Sequence, residues 1–395
     1  MIKALSILVS LFMLGGCTMK DDTDVIKPSS GDIYSGDISY EISSSYESDF
    51  DFMKYMPKDQ NYMISPFSIK MAMMMAANGA NGYTQKEILS ALGVSGIDEY
   101  NQKASDIITR YNSSKDVNLN VANSIWLNTD EAEGTNFKES YKKIIADFYK
   151  GVAKEENANA INGKINSFIE KETNGKITNV LPNERAEFLS ALVNTIYFKG
   201  SFEKQFNEAN TKKDTFTDRN GNKSELDFMN QISHFNYYEK DGIQMLKMNY
   251  SDRNIAMYVL LNDNNEDVDI NDIINKMEYK KVSVSMPKFK TEFTKSFSDV
   301  LKQLGITKAF SGTADFSNMF DNVEAYISDV IHKTFIEVDE NGTEAAAATV
   351  ILIAKSSLPM PEETKEFKAD KPFTYFIRDE VSGEILFLGE YAFAK

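Results

Sequence analysis

Glu340-Asn341-Gly342-Thr343-Glu344-Ala345-Ala346-Ala347-Ala348-Thr349-Val350-Ile351-Leu352-Ile353-Ala354-Lys355-Ser356-Ser357-Leu358-Pro359-Met360-Pro361 is the stretch that decides the fold, because its two halves ask for different backbones. Ala345–Ala348 favour helix, whereas Val350–Ile353 favour strand. Gly342 bounds the stretch at one end, and Pro359 and Pro361 bound it at the other. About twenty residues without a settled preference are long for a plain connection and suit a segment that changes state. In a strand the side chains alternate between two faces. Thr343, Ala345, Ala347, Thr349, Ile351 and Ile353 then share one face, with Glu344, Ala346, Ala348, Val350 and Leu352 on the other. The first half is small enough to slip between existing strands, where a bulky or charged inward residue has to be desolvated. An ordinary exposed loop or a short helix is the plainer alternative.

Around this stretch lie 395 residues that are 42% hydrophobic, 26% charged and 12% aromatic. Those fractions fit a globular chain and exclude a mainly disordered, collagenous or polytopic membrane protein. The 43 basic and 59 acidic residues give a net charge of −16, which offers no basic footprint for nucleic acid. One cysteine, Cys17, forbids an intrachain disulfide, and His234 and His332 are the only histidines. No metal-ligand spacing and no glycine-rich phosphate loop occur, so neither a metal nor a cofactor is expected.

The start of the chain reads as an address. Met1–Lys3 is positive, Ala4–Leu14 is apolar but shorter than the ~20 residues a membrane span needs, and Leu14-Gly15-Gly16-Cys17 looks like a bacterial lipobox. Residues 1–16 are thus expected to be a lipoprotein signal peptide, and Cys17 the lipid-bearing first residue of the mature chain. Loss of Lys3 with the leader would take the net charge from −16 to −17. Thr18-Met19-Lys20-Asp21-Asp22 weakly resembles a surface-export tag. Residues 17–45, rich in Ser, Asp, Gly and Tyr, read as a flexible tether. This predicts a chain anchored to the outer membrane of a Gram-negative bacterium, either surface-exposed or periplasmic.

From residue 46 to 395 the pattern is that of one large α+β domain with no internal repeat. Ile69–Ala77 reads as a buried helix stopped at Asn78-Gly79, its methionines serving as core filler. Thr84-Gln85-Lys86-Glu87 reads as a capping box before Ile88, Leu89 and Leu92. Asn162–Glu172 carries apolar residues at helical spacing. Phe188–Phe198, Tyr258–Leu261, Val282–Phe289, Thr334–Asp339, Thr374–Ile377 and Ile385–Leu388 read as strands. Helices come mainly early and strands mainly late, as in α+β rather than alternating parallel folds.

The sequence from about Phe50 to Lys395 resembles the serpin family. Glu340–Thr349 is similar, nearly residue for residue, to the hinge of its inhibitory members. Asn61–Ile69, Gly79–Ile88, Thr173–Ile177, Leu192–Gly200, Met286–Phe289, Asp370–Phe373 and Gly383–Gly389 match other family segments in the family's order. The resemblance implies a single domain of large mixed and antiparallel sheets with about eight or nine helices and an exposed, mobile reactive loop at about residues 340–361. It implies a suicide-substrate inhibitor, not an enzyme. A serine protease, or sometimes a cysteine protease, cuts the loop and forms an acyl-enzyme. The cut loop then inserts as a central strand, and the protease is carried along and distorted.

The resemblance also assigns roles. Glu340, Gly342, Thr343, Glu344, Ala345, Ala346, Ala347, Ala348 and Thr349 form the hinge. Ser65, Ser68, Asn194 and His332 match a polar cluster under the opening strands, although His332 could equally be a plain core histidine. Lys288 and Glu340 match a pair closing the top of the sheet, a latch worth only ~0–1 kcal/mol if exposed. The family usually has tryptophan near Lys199-Gly200; here Phe202 stands there, and the lone Trp126 lies elsewhere. His234 has no assigned role.

Counting from Glu340 puts the cleaved bond at Ser356–Ser357, but the stretch to Asp370 is a few residues longer than usual, which loosens the count. Lys355–Ser356 would offer a lysine to the acidic pocket of a trypsin-like enzyme and is the bond we favour. Ile353 and Ala354 would suit elastase-like enzymes. Target proteases and, through Cys17, a membrane are therefore the expected partners of a monomer. A non-inhibitory carrier and a surface lipoprotein that captures a ligand such as a glycan are the competing readings.

Overall fold

The structure is a computed structural model that describes residues 49–114, 117–263, 268–320, 325–343 and 362–394. The expectations for the leader, Cys17, the tether and residues 344–361 lie outside the described residues.

Two sheets dominate. The smaller contains β2 (Val117–Asn128), β3 (Val152–Glu156), β4 (Ser190–Ser201), β10 (Phe289–Ser296), β11 (Asp329–Asp339) and the two-residue β12 (Gly342–Thr343). Its order is β10-β11-β12-β4-β2-β3, with β11 also paired directly to β4. The larger, nine-stranded sheet contains β1 (Tyr62–Ile64), β5 (Lys212–Thr217), β6 (Lys223–Lys240), β7 (Ile243–Asn249), β8 (Ile255–Asn262), β9 (Glu278–Pro287), β13 (Lys365–Lys368), β14 (Phe373–Asp379) and β15 (Ile385–Tyr391). Seven α-helices and three short 3-10 turns occur among the described residues. This is the α+β, mixed-sheet architecture the sequence predicts.

Helix α1 (Pro66–Gly79) starts where Ser65 Oγ accepts the Ser68 N–H and Pro66 occupies the first turn. Both are favoured at helix starts because they leave fewer amide donors without partners. The helix is buried on nearly all sides, its methionines in the main core beside β15 and β4. Helix α2 (Gly82–Ala91) corrects the capping-box expectation: its cap is Asn81, which accepts the Gly82 N–H. Thr84 instead accepts the Asp315 N–H, and Glu87 accepts N–H groups of Thr307 and Lys308. Helix α3 (Ile97–Ser113) and α4 (Glu139–Tyr149) follow, and then α5 (Ile161–Glu172).

β4 and β11 read as nearly continuous apolar runs because both of their faces are covered. Leu192 and Ile196 of β4, with Val330, Ile336 and Val338 of β11, face the main core. Val193 and Tyr197, with Ile331 and Phe335, face a second cluster made by Ile165 and Ile169 of α5, Ile177 and Trp126. Helix α5 thus covers this face of the sheet beside β2, its apolar side turned to the cluster. The Trp126 indole packs edge-on to Phe168 of α5, ring centres 6.3 Å apart.

One charged group of helix α1 is buried with it. Lys70 of α1 is buried and paired with Asp49 at 3.0 Å and with Glu384, which in turn pairs with Lys103 of α3 at 2.5 Å. A buried charge survives only when paired, and the Lys70 ammonium has a carboxyl on either side.

Candidate functional site

The described backbone enters the 344–361 stretch at Thr343 and leaves it at Glu362. Glu344–Thr349 and the reactive-bond candidates Lys355, Ser356 and Ser357 lie outside the described residues, but both anchors are defined.

At the entry, β11 turns back on itself. The Asp339 carboxylate accepts the Asn341 N–H at 2.8 Å and the Gly342 N–H at 3.3 Å, which fixes a tight turn. Gly342 then pairs with Asp339 on one side and Ser201 on the other; Thr343 pairs with Val338 and Gly200. The two residues are therefore a strand wedged between β11 and β4. Glycine is required at 342. Its φ of +145° is rarely open to side-chain-bearing residues, and a Cβ there would run into the Gly200 carbonyl oxygen. Thr343 is fully buried, and its hydroxyl shares a hydrogen bond of 2.7 Å with that of Tyr250.

The sequence-expected pair forms: Lys288 Nζ lies 2.8 Å from Glu340 Oε2. Lys288 is 42% exposed, while the Glu340 side chain is almost fully buried. Although burial opposes it, the Lys288 ammonium and the Thr211 hydroxyl, which donates at 2.6 Å, hold the Glu340 carboxyl below its ordinary range. The Glu340 and Asn341 carbonyls accept the Phe206 and Phe202 N–H groups, both at 2.8 Å. Phe202 is buried and stacks on Tyr250 with ring centres 5.1 Å apart. An aromatic thus fills this place, as expected. Thr211, Phe206 and Tyr250 were not anticipated, since each reaches the hinge from a distant element with no local motif to mark it.

Beyond Phe335 toward the chain's earlier residues, β11 and β4 pair directly and in parallel, from Asp329 opposite Ala191 to Phe335 opposite Tyr197. The expected polar cluster lies under this closed part. The His332 Nε2 accepts the Ser65 N–H at 3.0 Å, so the ring is neutral, and burial pushes its pKa down from 6.5 to about 3. Ser65 Oγ donates to the Leu386 carbonyl at 2.5 Å. Asn194 does not bond to His332 or Ser65 through its side chain; its amide donates to Asn123 Oδ1, and Asn123 donates to the Tyr149 carbonyl at 2.8 Å. Ser68 contributes its N–H to the cap, while its hydroxyl is buried without a partner. Thr334 Oγ1 donates to the Met63 carbonyl at 2.6 Å. Four expected residues therefore lie under the seam, with Asn123 and Thr334 as unanticipated members. On the opposite face, Lys333 donates to the Thr178 carbonyl at 2.9 Å and ties the segment after α5 across the same seam.

At the exit, Glu362 pairs with His234 at 2.9 Å, and β13 joins β9 in parallel. His234 also stacks on the exposed Tyr279 ring. Among the described residues no group of His, Cys, Asp and Glu is placed to hold a metal ion.

A sheet held shut by a buried polar cluster, wedged open at one end by the root of a long connection, is decisive together with the sequence match. Residues 49–392 match the family model described as serpin (serine protease inhibitor). The chain belongs to the serpin family. The chain is 32% identical over 365 residues to Serpin-ZX of Arabidopsis thaliana, covering 84% of this chain and 92% of that one. The crystal structure of a thermophilic serpin, tengpin, in the native state superposes with a TM-score of 0.78 at 29% identity, covering 89% of this chain and 93% of that one. Human thyroxine-binding globulin complexed with thyroxine shares the fold at 22% identity and a TM-score of 0.75, over 88% of this chain and 95% of that one. Serpins are mostly protease inhibitors rather than catalysts.

Proposed function

We propose that this serpin is a suicide-substrate inhibitor of serine endopeptidases, and of cysteine endopeptidases that share their acyl chemistry. The observation that carries the reading is β12: the connection is already threaded between β4 and β11 at the point from which insertion must continue. The protease nucleophile attacks the carbonyl carbon at the cleaved bond, the C–N bond breaks, and the new amino terminus departs, leaving an ester or thioester. Water then competes with insertion for that acyl-enzyme. Insertion extends β12 along β4 and β11, adds main-chain hydrogen bonds, and buries Val350–Ile353, a gain of several kcal/mol from apolar area at ~25 cal/mol per Å². The Ala345–Ala348 run supports fast insertion, because small side chains pass the sheet faces without repacking them.

Lys355–Ser356 is the bond we assign, with Ser356–Ser357 next and cleavage after Ile353 or Ala354 the elastase-like options. The test is to mix residues 46–395 with trypsin and with elastase, run denaturing gels, and read the cut bond by mass spectrometry. A boiled-stable band at the summed mass is the expected result. Cleavage without that band, and without a sharp rise in melting temperature, would sink the inhibitory reading.

A second reading, that of a non-inhibitory carrier, is favoured by a cleft of about 1050 Å³ lined by Phe50, Leu260, Ile270 and Phe373 together with Lys54 and Lys371. The thyroxine complex of one relative gives it precedent. The small-residue hinge weighs against it.

The lipobox at Cys17 further supports a lipid anchor in a Gram-negative outer membrane. Cys17→Ser is expected to release the protein from the membrane fraction, with loss of fatty-acid label; retention of both would overturn the anchor.

A further inference from the structure

We propose that Tyr250 is a positioning residue that keeps Thr343, the hinge residue where insertion begins in the inhibitory reading, seated in the small sheet before the loop is cut. The inference rests on the inhibitory reading and says what sets its efficiency. Adding a strand to a closed seam is hardest at the first residues: their backbone is fixed and two strands are parted before many contacts are returned. Here that step is complete before any protease arrives, since Gly342 and Thr343 already pair with both β11 and β4.

What holds them is specific. Tyr250 follows β7 and forms a β-bridge with Phe202, so it belongs to the wall behind the hinge rather than to the small sheet. Its ring is buried between Phe202, stacked at 5.1 Å, and Phe198, edge-on at 4.9 Å. Neither phenylalanine offers a polar atom, and the Thr343 hydroxyl reaches the phenol at 2.7 Å. If Thr343 left the sheet, the phenol would remain buried without that partner, a loss larger than the bond's net value when made. The bond therefore biases the hinge toward the seated state. Gly200 makes room for the arrangement, because a Cβ there would clash with both the Tyr250 and Phe198 rings.

Seating acts on the race between insertion and deacylation. A hinge that starts seated has only to extend; a hinge that starts free must first part the strands while water attacks the acyl-enzyme. Weakening the seat therefore raises the number of inhibitor molecules consumed for each protease trapped.

The experiment titrates one protease with the wild-type protein, Tyr250→Phe, Thr343→Val and the double variant. The readout is inhibitor consumed per protease trapped, with the rate of loop cleavage followed in the same reactions so that slower docking is not counted as slower insertion. Each single variant is expected to raise consumption by up to about fivefold, the factor a neutral hydrogen bond contributes. The double variant is expected to match the singles, because both remove the same bond. Unchanged consumption, additive effects in the double variant, or faster trapping with lower consumption would each overturn the proposal. If Tyr250→Phe fails to fold, Thr343→Val, which leaves the aromatic stack intact, decides alone. A wild-type protein that traps no protease would overturn the inhibitory reading itself, an outcome visible in the wild-type arm before any variant is compared.

Discussion

β4 and β11 meet in two ways along one seam, and the two meetings rely on different chemistry. From Asp329 to Phe335 the strands pair directly, with His332, Ser65 and the Asn194–Asn123 pair beneath and the α5 cluster above. At Val338 and Asp339 they are held apart by Gly342 and Thr343, fixed by a glycine geometry and one hydroxyl pair. The closed part is secured by buried polar groups that leave costly orphans if separated. The open part is secured by residues small enough to be followed by others. The same two strands thus combine resistance to opening with a prepared place to begin.

The largest effect should come from making the open end unable to accept its wedge. Thr343→Arg places a charge in a fully buried position, and a desolvated unpaired charge costs several kcal/mol. Covalent trapping should fall by roughly 100-fold or more while the loop is still cut; undiminished gel bands would break the contrast between the two ends.

The closed end should be more sensitive to acid. The folded His332 ring takes a proton only near pH 3, whereas the unfolded ring does so near 6.5, so acidification favours the unfolded chain. This contribution is complete above about pH 6.5 and is lost as pH falls toward 3, on the order of 5 kcal/mol in all. Asp49 has the opposite sign. Burial pushes its carboxyl up to about 7 against the pull of Lys70, and the Glu384 charge adds to the rise. Its contribution is present below about pH 4 and lost as pH rises through 7. Urea midpoints between pH 4 and 7 should therefore rise with pH more steeply in Asp49→Asn than in the wild-type protein, and should fall with pH in His332→Gln. Equal slopes in the two variants would refute the assignment.

A smaller effect is expected at Asn123, a polar member of the closed end. Asn123→Ala leaves the Asn194 amide and the Tyr149 carbonyl without their partner, a loss of about 1–3 kcal/mol that should appear in the unfolding midpoint. The smallest belongs to the open end's latch. Lys288 is 42% exposed, so Lys288→Ala should cost under about 1 kcal/mol and disappear in high salt. A larger loss would mean that the open end depends on charge as well as size.

The hinge was legible because its demands are local: a glycine for the turn and small alternating side chains behind it. The buried helix at Pro66–Gly79 and the strands around Leu192, Tyr258 and Ile385 were legible from apolar density. What escaped is set by partners far along the chain. Thr84 and Glu87 have the spacing of a capping box, yet both are bound by N–H groups more than 200 positions away. Lys70 has no nearby carboxylate in the sequence to mark it as a buried ion pair, and only the folded arrangement brings Asp49 and Glu384 to it. Tyr250 and Asn123 carry no local mark either. Their roles exist only once β7 and β2 are placed beside the seam.

The position of Trp126 gives the molecule a built-in optical signal. It is the only tryptophan in the sequence, its indole is buried with no hydrogen-bond partner for its N–H among the described residues, and its neighbour Phe168 belongs to α5. A strand that enters beside β4 alters the cluster that Trp126 shares with Val193, Tyr197, Ile331 and Phe335, and water reaching the indole would shift its emission to longer wavelength. Stopped-flow fluorescence of the unlabelled protein can therefore time that entry, in milliseconds or minutes, as a single-site trace.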